Sequence, residues 1–364
     1  MTFIFWQNII SIHQSSFLEA LANKHKVILI VENELSDIRK NSGWQLDAMK
    51  NVELIIAPKD NQIKHIISHH KQAWHGISGL HAYDLATKAL KFATQIGCKN
   101  ITIITESYDR IGLRGLLRLI KYSVLSLKYK NKIKAIFVTG LPARACFENL
   151  FFSTHIIFNW GYFTKQGHYK CKNAKPRGLP NLLFVGSLDV GKNLLPILPM
   201  VYKHKSLFSK FYIVGNGPLV PNLKKEIRTK TEIEYLGVLK NSEIQILMKK
   251  CDLLILPSIY DGWGAVVNEA LSNGMRVLCS DNCGASILLE GKMRGGVFSH
   301  KINNFDKELI KWLKEGVVEH TDRVAIIEWC EAHISGEVAA SYFLDVVNYL
   351  ESKTTIRPKA PWLN

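Results

Sequence analysis

The sequence predicts an α/β architecture of two doubly wound halves, each built on a parallel sheet. Its 364 residues exceed what one ordinary core encloses, so two domains are expected. Short runs rich in β-branched and aromatic residues alternate with longer stretches of helical period. These runs are apolar on both faces, as strands covered by helices on two sides must be. From Lys165 to Pro180 the periodicity lapses into glycine, proline and lysine, a linker composition.

In the first half Thr2–Trp6, Lys26–Val31, Glu53–Ala57, Ile101–Thr105 and Ala135–Val138 read as strands. In the second half Leu182–Val185, Phe211–Val214 and Leu253–Leu256 do the same. The expected domains are therefore 1–165 and 180–334. Met1 to Ile12 is apolar but has neither a basic leader nor a small-residue cleavage site, and reads as a buried first strand. No run approaches the roughly 20 apolar residues of a bilayer span. Seven cysteines are scattered without CxxC pairs, which favours buried thiols in a reducing, cytoplasmic compartment over a zinc site at Cys279 and Cys283. The His65, His69 and His70 group lacks acid or cysteine partners at metal-ligand spacing and reads as a polar surface.

A formal charge of +16 favours anionic partners without choosing among them. Residues 110–134 hold eight basic residues and no acid. On a helix, Arg110, Arg114, Arg118, Lys121 and Lys128 fall on one side, with Leu113, Leu116, Leu117, Leu119, Ile120, Val124 and Leu127 on the other. This segment is expected either to pack its leucines in the core under a solvated basic face, or to face an anionic membrane. No nucleic-acid-binding motif accompanies the charge, and no nucleic acid is expected.

In open parallel sheets, ligands bind beyond the carboxyl ends of the strands. After Leu182–Val185 comes Gly186-Ser187-Leu188-Asp189-Val190-Gly191-Lys192-Asn193, whose glycines admit a ligand and whose lysine sits at a helix mouth. After Phe211–Val214 comes Gly215-Asn216-Gly217-Pro218. After Leu253–Leu256 comes the most informative stretch, Asp261-Gly262-Trp263-Gly264-Ala265-Val266, with Glu269 one helical turn further on. The helix start around Gly264, Ala265 and Val266 offers N–H groups to a diphosphate. Asp261 and Glu269 then supply carboxylates for a sugar and a ribose diol.

From Leu182 to about Glu290 these motifs resemble retaining glycosyltransferase family 4, whose members share the GT-B fold. The family pattern is a carboxylate, Gly-Phe-Gly and a glutamate eight positions after the first acid, matched here by Asp261, Gly262-Trp263-Gly264 and Glu269. Lys192 matches the family's phosphate lysine, whereas Ser187 stands where an arginine is expected. The resemblance implies two Rossmann-like domains facing an interdomain cleft, with a nucleoside-diphosphate sugar, UDP or GDP, held by the second. It extends more loosely to the first half. There the loops carrying Gln7-Asn8, Ser11 to Gln14, His75 to Gly79 and Thr105 to Ser107 would line the acceptor side. His13, Ser78, Gly79 and Glu106 are the acceptor-side candidates, and His75 the candidate beside the reacting sugar. A C-terminal helix at about 337–351 would return to the first domain.

The implied reaction moves a sugar to a hydroxyl of a glycan or lipid-linked acceptor, with retention and without a metal cofactor; no DxD motif is present. The implied setting is cell-surface polysaccharide or lipopolysaccharide biosynthesis, on the inner face of the cell membrane. A GT-B phosphorylase or nucleotide-sugar epimerase is the nearest alternative, distinguished by sugar release without an acceptor or with inorganic phosphate. A non-catalytic basic module would instead bind anionic liposomes or DNA, and no nucleotide-sugar.

Overall fold

A computed structural model describes residues 1–34, 49–108, 112–163, 178–291 and 293–363. Arg110 and most of the linker, Gly167 and Pro176 included, lie outside the described residues. The chain divides into two compact units.

The first unit carries β1 (Thr2–Ile9), α1 (Ile12–Ala22), β2 (Lys26–Asn33), β3 (Val52–Ile56), α2 (Asp60–His69), β4 (Trp74–Ser78), α3 (Asp84–Ile96), β5 (Ile101–Thr105), α4 (Gly112–Tyr129), β6 (Ala135–Thr139), α5 (Gly140–Glu148) and β7 (Ile157–Trp160). Its seven strands are parallel, in the order β3-β2-β1-β4-β5-β6-β7. The reversal beside β1 is the topological switch of a doubly wound sheet. Strand β1 is buried on both faces through Phe3, Ile4, Phe5 and Trp6, which is why it reads as an unbroken apolar run.

The second unit carries β8 (Leu182–Val185), α6 (Leu194–Lys203), β9 (Phe211–Val214), α7 (Val220–Ile227), β10 (Ile233–Gly237), α8 (Asn241–Met248), β11 (Leu253–Leu256), α9 (Ala265–Ser272), β12 (Arg276–Ser280), β13 (Gly295–Phe298), α10 (Phe305–Lys314) and α11 (His320–Ile334). Its six parallel strands run β10-β9-β8-β11-β12-β13. Helix α12 (Gly336–Leu350) belongs to the first unit, where it packs along α1. Ser335 caps it by accepting from the Val338 N–H at 3.3 Å, and Phe343 meets the Phe17 and Phe137 rings at 5.5 and 5.1 Å.

Two local readings change. The stretch His75 to Gly79, read as a loop after a strand, supplies most of β4 itself, paired between β1 and β5. Helix α4 turns its leucines outward. Its packing face is made of Gly115, Tyr122, Leu125, Ser126 and Tyr129, with Tyr122 stacked on Tyr108 at 4.4 Å and the Phe151 N–H donating to Ser126 Oγ. Small side chains let the helix lie close to its neighbours, and the aliphatic arc is left exposed.

Candidate functional site

The loops after β8 and β9 are in backbone contact. Gly215 has φ +139, and a Cβ there would lie 1.8 Å from the Gly186 carbonyl oxygen, so only glycine fits. The Leu188 N–H donates to the Asn216 oxygen at 2.9 Å, and the Leu219 N–H to the Leu188 oxygen at 2.9 Å. Tyr235 within β10 fixes the other side, its hydroxyl donating to the Gly215 oxygen at 3.0 Å. Together these loops line a cavity of about 230 Å³, with Gly186, Ser187, Gly215 and Asn216 meeting apolar Val238, Leu239 and Ile244. A mostly apolar slot edged by backbone amides and carbonyls suits a flat heteroaromatic base.

Lys192 ends a short 3-10 turn, Val190–Lys192. Asp189 shapes that turn: one carboxylate oxygen accepts the Lys192 N–H at 3.0 Å and the other accepts the Ser187 hydroxyl at 2.5 Å. Ser187, standing where an arginine was expected, is therefore part of the scaffold of the lysine loop. The Ile259 N–H donates to the Gly191 oxygen at 2.9 Å, tying this turn to the loop after β11. Across that tie, the Lys192 ammonium donates to the Asp261 carboxylate. Asp261 is held by an isolated bridge to Cys283, its N–H donating to the Asn282 oxygen at 3.1 Å.

Gly264 is the left-handed N-cap of α9, φ +86. A Cβ there would meet the Cys283 sulfur at 2.5 Å, so strain and crowding both demand glycine. Trp263 before it is buried, its indole N–H donating to Asn268 Oδ1 at 2.6 Å. The Cys283 thiol donates to the Trp263 oxygen at 2.9 Å and the Ala285 N–H to the same oxygen at 2.7 Å. These bonds fix the first turn of α9, whose Ala265 and Val266 N–H groups have no preceding helical carbonyl to bind. Glu269 shares the half-buried face of α9 with Ala265 and Val266. Desolvation pushes its carboxyl up to about 7. The six described cysteines are all buried free thiols.

In the first unit, His13 is buried in the opening turn of α1, its ring stacked on Tyr162 at 5.3 Å with planes 5° apart. The Tyr162 hydroxyl donates to the Glu106 carboxylate. The exits of β1, β5 and β7 thus converge on one His13–Tyr162–Glu106 cluster. Ser78 ends β4, and the Gly79 N–H donates to the Ile104 oxygen at 2.9 Å. Tyr162 escaped the sequence reading because it lies after a short strand, β7, that was not recognised.

His75 is corrected. It lies near the amino end of β4, fully buried, with Nδ1 accepting from the Trp6 indole at 3.3 Å and Nε2 against the His70 oxygen at 3.2 Å. Burial lowers its pKa to about 4. A neutral histidine enclosed inside a sheet has no face to offer a substrate, so its role is structural. Among the described residues there is no cluster of three or more His, Cys, Asp or Glu able to hold a metal, His65, His69 and His70 included.

Residues 166–327 match the family Glycosyl transferases group 1. An uncharacterized glycosyltransferase of Methanocaldococcus jannaschii is 25% identical over 120 residues, covering 31% of this chain and 30% of that one. A UDP-Gal:alpha-D-GlcNAc-diphosphoundecaprenol alpha-1,3-galactosyltransferase of Escherichia coli is 29% identical over 100 residues, 27% of this chain and 25% of that one. The chain thus spans under a third of the length of these curated relatives. Anabaena HepE, solved in complex with UDP, shares the fold at a TM-score of 0.68 and 12% identity, covering 96% of this chain and 100% of its own. The fold is that of GT-B glycosyltransferases, two Rossmann-like parallel-sheet domains.

Proposed function

We propose that the protein transfers a sugar from a uridine diphosphate donor to a hydroxyl of a glycan or lipid-linked acceptor, with retention at the anomeric carbon. One observation carries this reading: Lys192 and Asp261, from loops after two different strands, meet at the turn into α9, with Glu269 one turn along that helix. The base occupies the cavity between Gly215 and Val238, and Glu269 accepts from the ribose hydroxyls. The diphosphate rests on the Ala265 and Val266 N–H groups and on Lys192, which exchanges its bond to Asp261 for one to phosphate. Asp261 then accepts from a sugar hydroxyl. UDP is favoured by its presence in HepE, and a diphosphate-lipid acceptor by the name of the Escherichia coli relative. GDP stays as the alternative donor base.

In the reaction the bond from the anomeric carbon to the β-phosphate oxygen breaks, and its electron pair stays on that oxygen. The acceptor oxygen bonds to the anomeric carbon from the same face, and its proton passes to the departing phosphate oxygen. Lys192 and the helix N–H groups stabilise the negative charge as it grows, and each such contact lowers the barrier by about 3 kcal/mol. Because a lysine and a helix end supply the positive charge, the reading needs no metal cofactor. In the first unit, the His13–Tyr162–Glu106 cluster, Ser78 and Gly79 are assigned to the acceptor.

The test is thermal stabilisation by UDP-galactose, UDP-glucose, UDP-N-acetylglucosamine and GDP-mannose, repeated with chelator. A ligand at about 100 times its dissociation constant adds roughly 2.7 kcal/mol. Stabilisation by one or more UDP-sugars, unchanged by chelator, supports the reading; none by any nucleotide-sugar ends it.

A further inference from the structure

The proposed transfer assigns no role to the outer face of α4. Leu113, Leu116, Leu117, Ile120, Val124 and Leu127 are all exposed, from 48% at Leu127 to 75% at Leu113. At about 100° per residue they fill one continuous arc of roughly 100°. Exposed Lys128, Lys121 and Arg114 follow along one edge of that arc, and Arg118 lies beyond them. The opposite face is fixed in the unit by buried Gly115, Ser126 and Tyr129, so the arc is what the helix presents outward. Phe151 adds an aromatic edge: its N–H donates to Ser126 Oγ at 3.3 Å and its side chain is exposed.

A contiguous aliphatic strip of this size marks a surface that something covers. The charge pattern selects the occupant. No acid occurs between residues 112 and 134, and the chain carries +16 overall. Pairing two copies through this arc would bring two basic edges together with no carboxylate on the helix to relieve them. An anionic bilayer satisfies both halves of the pattern, apolar side chains entering the acyl boundary and basic ones meeting lipid phosphates. Among the described residues no helix is long and apolar enough to cross a membrane, so α4 does not span one.

We propose that α4 lies in the plane of an anionic membrane surface, with Leu113, Leu117, Ile120 and Val124 inserted and Arg114, Lys121 and Lys128 on lipid phosphates. Of the two sequence expectations for this segment, leucines in the core or a membrane-facing helix, the exposed leucines remove the first, and in the second it is the leucines together with the basic edge that meet the lipid. Binding therefore has an apolar component that salt does not screen. The inference stands independently of the transfer reaction.

The experiment is flotation of the full chain with vesicles of equimolar phosphatidylcholine and phosphatidylglycerol, against phosphatidylcholine alone, at low salt and at about 1 M salt, where the Debye length is about 3 Å. The protein should float with the anionic vesicles and keep a measurable fraction bound in high salt. Leu113→Gln, Leu117→Gln and Ile120→Gln should each weaken partition by about tenfold at either salt. Lys121→Gln and Lys128→Gln should each weaken it about fivefold, at low salt only. Circular dichroism and melting temperature should stay unchanged, since these side chains are exposed; Leu113→Gln, at the most exposed position, is decisive if a combined variant proves unstable. Glutamine variants that float like the parent would overturn the proposal. So would binding lost entirely in high salt, or a parent dimer that these variants convert to monomer while neither floats.

Discussion

The Lys192 ammonium donates to the Asp261 carboxylate, joining the loop after β8 to the loop after β11 at the entrance to α9. Both side chains are partly buried, at 24% and 16% exposure, so the pair is shielded from full solvent screening. In the proposed complex Lys192 leaves this carboxylate for a phosphate.

Removing that competitor gives the first prediction. Asp261→Asn should bind UDP about three- to tenfold more tightly, since releasing one partly buried ion pair is worth on the order of 1 kcal/mol. The same change should slow sugar transfer by at least about tenfold, because Asp261 then serves the sugar poorly. Calorimetry with UDP checks the first half, and a UDP-release assay the second. Unchanged or weaker UDP binding would show that Asp261 does not restrain Lys192.

Glu269 gives a pH dependence. Its folded pKa of about 7 lies above the ordinary 4.5, so the folded protein holds an extra proton between those values. Stability from this group is present below about 4.5 and is lost progressively as pH rises through 7. Above 7 the half-buried carboxylate is charged and costs on the order of 1–3 kcal/mol. A ribose diol needs that charged form as acceptor, so UDP binding should tighten from about pH 6 to about pH 8 with release of a proton. Glu269→Gln should be more stable than the parent at about pH 8, bind UDP more weakly, and lose the pH dependence. A variant that keeps the parent's binding profile contradicts the assignment.

The contact between Gly215 and Gly186 sets a third expectation. Gly215→Ala forces a Cβ within 1.8 Å of a carbonyl oxygen, so the two loops must part. Melting temperature should fall and stabilisation by UDP should vanish. Gly178→Ala, with nothing within 4 Å of the added carbon, is the control and should change neither. Retained UDP stabilisation in Gly215→Ala would mean that the nucleotide does not use this pair of loops.

His75 is predicted to matter for stability alone. Its folded pKa, about 4, lies below the ordinary 6.5, so the unfolded chain takes up the proton first on acidification. Its contribution is intact above about 6.5 and lost as pH falls toward 4. His75→Phe leaves the buried Trp6 indole N–H without its acceptor, at about 1–3 kcal/mol, while UDP affinity stays unchanged. A variant of normal stability and altered UDP affinity would return His75 to the site.

The alternating strands and helices were legible because most strands of both sheets are buried on two faces and so carry unbroken apolar runs, as in Leu253–Leu256. Strands β7, β10, β12 and β13 were not: Ile157–Trp160 carries Asn159 within four residues, Ile233–Gly237 is a half-exposed edge, Arg276–Ser280 begins with an arginine and ends with a serine although it is buried, and Gly295–Phe298 begins with two glycines. Strand β4 was misread because His75 and Gly76 are poor strand signals; only tertiary packing against Trp6 and Phe5 explains them.

The turn residues around α9 were readable because glycine, acid and lysine at strand ends have few other uses together. Their supports were not. Asn268 under Trp263, Cys283 under Gly264 and Tyr162 beside His13 act through contacts between segments distant in sequence or hidden within one turn. For helix α4 the basic and aliphatic arcs were separable in the sequence, but periodicity cannot say which of them meets the protein, and the expectation of leucines in the core is the one overturned. The small residues Gly115 and Ser126 decided that.

In the proposed donor complex a diphosphate rests at the head of α9 against Lys192. Calorimetric titration of the parent and Lys192→Ala with UDP and with uridine tests it most directly. Lys192→Ala should lose at least about tenfold in UDP affinity, a charge-assisted contact being worth about 1.5–3 kcal/mol, and keep the parent's affinity for uridine. Equal UDP binding by the two proteins, or an equal loss for UDP and uridine, would contradict it.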